Sequence, residues 1–178
     1  LGYPDGWNNF AYCNNWVNTC IDKLGMDVYH VVASNSVGGL GHSAAIVGSS
    51  KYGYHIMNFG STLGIGDSAN NWDTVFATVE EALNALSQGR EGEEAFDRIQ
   101  KFESTPEQDD LAYAGMLDSA SDGYDWLTNN CWGVIEDGLD AASIDRVIGS
   151  WYPNQAFNLN ESVATTLNFN DVLNGLAE

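Results

Sequence analysis

Apolar positions recur at the three, four, seven spacing of a helix face over residues 8–24, where Phe10, Cys13, Trp16, Val17, Cys20, Ile21 and Leu24 form one stripe. Gly25 follows as a C-cap would. Strand chemistry takes over further on. Residues 41–48 and 52–59 read as two strands, with Ser49, Ser50 and Lys51 between them as a hairpin connection. Glycine-rich sequence from Gly60 to Gly66 and the run Asn70, Asn71, Trp72, Asp73 read as loop. Thr78 and Glu81 have capping-box spacing and open a helix with Val79, Leu83 and Leu86 on its apolar face. A turn is expected over residues 87–94, and a short strand or helix over 96–102.

The second half is mostly helical in pattern. Ser104, Thr105, Pro106 and Glu107 make a strong helix start, with proline in the first turn and acids at the positive end of the dipole. That helix should run to about Ser119 and break at Asp122-Gly123. Asn129 and Asn130 can cap a further helix over residues 131–142, whose Trp132, Val134, Ile135 and Leu139 form a stripe. Pro153-Asn154 opens a polar tail, and Asn168 to Asp171 cap a last short helix. With no internal repeat and no linker, the expectation is one α+β domain over residues 1–178, a small antiparallel sheet packed against helices.

Composition narrows the function. Of 178 residues, 44% are hydrophobic and 12% aromatic, enough apolar area to argue against disorder. Acids outnumber Lys and Arg by 25 to 6, a formal charge of −19 that would repel phosphate backbones and anionic membrane surfaces. Neither nucleic acid nor membrane is expected as a partner. No apolar run approaches the roughly 20 residues that span a bilayer. The first residues lack the pattern of a signal peptide and an initiator Met, which reads as a piece of something longer.

No metal or cofactor is expected. His30, His42 and His55 lack zinc spacing, no EF-hand loop occurs, and Gly64-Ile65-Gly66 lacks the rest of a phosphate cradle. Cys13 and Cys20, two turns apart on one face and so roughly 10 Å apart, are beyond disulfide reach and read as small buried hydrophobes. Cys131 differs. Its sulfur would lie in the first turn of a capped helix, where unsatisfied N–H groups and the dipole favour thiolate. A thiolate nucleophile needs an imidazole as base and acid, and that imidazole needs a third group to fix its tautomer. His42, flanked by small residues at a strand start, is the candidate base. If the hairpin turns around Ser50, positions summing to 100 pair, and Asn58 lies directly opposite His42 on the same face. Ser61 and His55 stand behind Asn58 for that role.

This order resembles circularly permuted papain-like (NlpC-type) cysteine hydrolases, in which the Cys helix follows the sheet instead of preceding it. The matching stretches are residues 41–48, 53–58 and 124–131, with Thr105 to Asp109 and Pro153-Asn154 as further likenesses, covering about residues 40–157. The resemblance implies a permuted papain-like fold and a cysteine protease or amidase with Cys131, His42 and the more variable Asn58 as catalytic residues. Leu1-Gly2-Tyr3 also resembles the end of the junction at which an RHS-repeat core gives way to its C-terminal toxin. That resemblance implies a secreted effector carried by the RHS core into a neighbouring bacterial cell and silenced at home by an immunity protein. A basic contact surface on the immunity protein would suit the −19 charge. The leading expectation is therefore cleavage of a protein in the target cell. A peptidoglycan amidase or endopeptidase would benefit from cationic patches that this chain lacks. An acyltransferase or deamidase could use the same dyad, and a carbohydrate-binding module would instead use loops such as Asn70 to Asp73.

Overall fold

The computed structural model describes residues 27–49, 53–59, 75–87, 95–123, 125 and 129–175. The helix expected over residues 8–24, with Cys13 and Cys20, lies outside the described residues, as do Ser61 and the loop from Asn70 to Asp73.

An antiparallel sheet organises the molecule. Its strands are β1 (Val28–Ala33), β2 (His42–Ser49), β3 (Gly53–Met57), β4 (Val75–Phe76), β5 (Arg98–Phe102) and β6 (Thr165–Leu167). Their spatial order is β4-β3-β2-β1-β5-β6. The central strand β1 is apolar except for His30 and buried along its whole length, as a strand covered on both faces must be. Helices fill both faces: α1 (Val79–Ser87), α2 (Pro106–Ser121), α3 (Cys131–Ala141), α4 (Pro153–Asn160) and α5 (Phe169–Leu173). The α+β class is as expected.

Strand alternation divides the core in two. Val28, Ala45, Val47, Met57 and Phe102 point to one face, where Met116 of α2 and Trp132, Ile135 and Leu139 of α3 cover them. Tyr29, Val31, Ala44, Ile46, Ile56 and Ile99 point to the other, under Leu83 and Leu86 of α1 and Val172 of α5. Helices α2 and α3 meet at glycines: a Cβ on Gly138 would run into the Met116 side chain and come 2.7 Å from the Ala112 carbonyl oxygen.

Helix starts follow the local signals. Thr105 accepts from the Gln108 N–H while Gln108 accepts from the Thr105 N–H, a complete capping box ahead of Pro106. Thr78 Oγ1 accepts from the Glu81 N–H, and Asn168 caps α5. Helix α2 ends two residues past Ser119, and of the short strand or helix expected over residues 96–102 it is the strand that forms, at 98–102. One expectation is corrected. Pro153-Asn154 begins a helix, not a tail: Pro153, Ala156, Phe157 and Asn160 are its buried positions, and the polar Asn160 disguised the helical period.

The hairpin register also differs. Ala45 pairs with Met57 and Ser49 with Gly53, so paired positions sum to 102, not 100. The pairing is thus shifted by two positions from the expected one, and Gly53 opens β3 at φ +100°, a conformation open to glycine. Asn58, one residue beyond β3, consequently faces Ala44 by register and is a diagonal neighbour of His42, not its direct partner. A two-residue slip preserves the face that a one-residue slip would reverse.

Candidate functional site

Three residues far apart in sequence meet at one end of the sheet. Cys131 is the first residue of α3, a free thiol only 7% exposed. Asn130 caps the helix in an extended conformation, its Oδ1 accepting from the Trp132 and Gly133 N–H groups at 3.0 and 3.1 Å. Asn129 works in the opposite direction, its Nδ2 donating to the Ser119 and Gly123 carbonyls and tying the approach segment to the end of α2.

His42 opens β2 and is half-buried, with its ring centroid 6.0 Å from that of Phe96. Its Nε2 lies 2.7 Å from Asn58 Oδ1. An amide oxygen can only accept, so Nε2 carries the proton and Nδ1 is the nitrogen left to meet a thiol. Burial pushes the Cys131 thiol up, but a hydrogen bond and charge attraction from His42, together with hydrogen bonds from the Ser43 and Trp132 backbones, bring it below the ordinary thiol range. The Ser43 N–H reaches Sγ at 3.5 Å. The net result is a thiol at a helix N-terminus, next to an imidazole whose tautomer is fixed from behind.

The remaining histidines are buried. His55 is buried and stacks on Tyr113 of α2 with centroids 4.3 Å apart, on the face away from His42. His30, for which the sequence suggested no partner, is fully buried beneath the site. Its Nε2 bonds Ser43 Oγ at 2.7 Å, and its ring centroid is 4.9 Å from that of Trp132. Burial, aided by the nearby Arg98 charge and only partly offset by the neighbouring Gln100 side chain, holds its pKa down to about 3, so it stays neutral.

Sequence reasoning also missed how the site's loops are tied together. Asn130 Nδ2 donates to the Trp151 carbonyl at 3.3 Å, and Asn154 contacts the loop ahead of His42. Both bonds join residues distant in sequence and leave no periodic trace. Among the described residues, no group of three or more His, Cys, Asp or Glu side chains could hold a metal ion. No helix among them is long and apolar enough to cross a membrane.

Comparison with protein-family models, with curated proteins and with solved structures found no match to this chain.

Proposed function

We propose that this chain is a circularly permuted papain-like cysteine hydrolase that cleaves a peptide bond in a protein of a target cell, with Cys131 as nucleophile, His42 as base and Asn58 as the group that orients it. The observation that carries the reading is the hydrogen-bonded series from Asn58 Oδ1 through the His42 ring to a thiol held below its ordinary pKa. Chain order supports the permuted form: the base on β2 and its orienting amide after β3 both precede the cysteine helix α3.

The chemistry follows from the geometry. His42 Nδ1 takes the thiol proton, and the thiolate attacks the carbonyl carbon to form a tetrahedral oxyanion. The Cys131 N–H, at the first helical position, has no acceptor within its helix and is placed to donate to that oxyanion. The imidazolium then gives its proton to the leaving amine as the C–N bond breaks, which leaves a thioester on Sγ. Water, deprotonated by His42, attacks the thioester and releases the acid and the free thiol. Asn58 holds the ring through Nε2 throughout and transfers no proton.

The wider role we propose is an effector toxin carried by an RHS core, delivered into a neighbouring bacterium and restrained by a cognate immunity protein. It rests on the sequence resemblance of Leu1-Gly2-Tyr3 and of the Cys and His segments. Labelling protein N-termini in bacterial cells that express the native chain or Cys131→Ala tests the reading. New N-termini from one or a few proteins are expected only with the native chain. Identical sets, with both chains present at equal level, would overturn it.

A further inference from the structure

We propose that Asn154 is a positioning residue that fixes the Cys131–His42 pair by clamping the loop that delivers His42; the proposal rests on the thiol-hydrolase reading above. The loop between β1 and β2 is irregular. Val37, Gly38, Gly39 and Gly41 all have φ between 51° and 91°, and the Leu40 and Gly41 N–H groups turn back onto the Val37 and Ser36 carbonyls in a single distorted turn. Asn154 engages the carbonyls on either side. Its Nδ2 donates to the Ser34 and Gly39 carbonyls at 2.7 and 2.9 Å, and its backbone N–H donates to the Leu40 carbonyl at 3.1 Å.

The contact continues to the residue next to His42. A Cβ on Gly41 would lie 3.0 Å from both Cγ and Oδ1 of Asn154, so the amide packs directly on the Gly41 backbone. Oδ1 is buried there without a hydrogen-bond partner, an expense tolerated while Nδ2 serves two carbonyls. Three residues earlier the same segment meets the other half of the site, where the Trp151 carbonyl accepts from Asn130, the cap of the cysteine helix. Ser150 stiffens the span between them. Its Oγ accepts from the Tyr152 N–H at 3.3 Å and donates to the Tyr152 carbonyl at 2.9 Å. Residues 150–154 therefore act as a strut: one end holds the nucleophile's cap and the other the base's loop. Asn154 sets the separation of sulfur and imidazole without touching substrate.

The test is the pH dependence of iodoacetamide alkylation at Cys131, mapped by mass spectrometry, in the native chain, His42→Ala and Asn154→Ala, with circular dichroism to establish folding. Native Cys131 should react below the ordinary thiol range, and His42→Ala should lose that reactivity. Folded Asn154→Ala should move the same way, slowing alkylation at pH 6 by about tenfold, as one unit of thiol pKa does. Native and His42→Ala profiles that both match free cysteine would overturn the underlying reading. A native profile retained by Asn154→Ala, with His42→Ala shifted, would overturn the clamp alone. If Asn154→Ala does not fold, Asn154→Asp, equal in volume but without the two donors, takes its place. Native reactivity in folded Asn154→Asp, or failure of both variants to fold, would overturn the proposal in favour of a general structural role.

Discussion

His42 Nε2 and Asn58 Oδ1 are 2.7 Å apart although the two residues are diagonal and not directly paired across the hairpin. The bond spans the end of the ladder, where β3 has finished and the amide is unconstrained by strand pairing. Orientation of the ring thus depends on this side chain and not on strand pairing. Asn58→Ala should lower kcat/KM by roughly a hundredfold, the scale of an ångström misplacement, while Cys131→Ala abolishes turnover. The readout is hydrolysis of a peptide drawn from the cleavage sites that distinguish native from Cys131→Ala cells. Unchanged turnover in Asn58→Ala would remove it from the mechanism.

Asn130 is a neutral cap beside the Cys131 thiol, whose pKa is held below its ordinary range. Asn130→Asp keeps a good acceptor for the Trp132 and Gly133 N–H groups, so thermal stability should be retained. The added negative charge should nevertheless raise the Cys131 pKa by about one unit, since like charges at close range disfavour ionisation. Asn130→Ala should do the reverse, costing about 1 kcal/mol of stability with a smaller effect on the thiol. Urea unfolding and alkylation against pH separate the two.

His30 makes a prediction about acid stability. Its folded-state pKa is down near 3 against about 6.5 when unfolded, so between those values the unfolded chain binds a proton that the folded chain excludes. Its contribution is complete above pH 6.5 and is lost progressively as pH falls towards 3, at about 1.4 kcal/mol per pH unit. His30→Gln should be less stable at pH 7, having lost the Trp132 contact, but its stability should fall less steeply with acid. Parallel pH profiles of unfolding free energy would contradict this.

Gly138 permits the close approach of α2 and α3, the pair that carries Cys131 onto the sheet. Helix propensity alone would favour Ala by about 1 kcal/mol, but the new methyl would strike Met116 and the Ala112 carbonyl. Gly138→Ala should therefore be net destabilising by about 1–3 kcal/mol, read as a lower midpoint in urea.

Features written in a few adjacent residues were legible in the sequence. The caps at Thr78, Thr105, Asn130 and Asn168 act over three or four positions, and each starts a helix where expected. That locality is why Cys131 could be placed in a first turn from its neighbours alone. Residues 98–102 were ambiguous because Phe96, Ile99 and Phe102 recur every third position. The strand instead sends Ile99 to one face and Phe102 to the other. Hairpin register depends on where the turn centres, so Asn58 was assigned to the correct face but the wrong partner. The bonds of Asn154 to Ser34 and Gly39 cross 120 and 115 residues, beyond any periodic signal.

Activation of Cys131 by His42 is read from the rate of Cys131 alkylation against pH. The native inflection should lie below that of the same thiol without its imidazole, with reactivity fading only as pH falls through that lowered value. His42→Ala should return the inflection to the ordinary thiol range or above it, because burial would then be opposed only by the Ser43 and Trp132 backbone hydrogen bonds. Native and His42→Ala curves that coincide would mean that His42 does not activate Cys131.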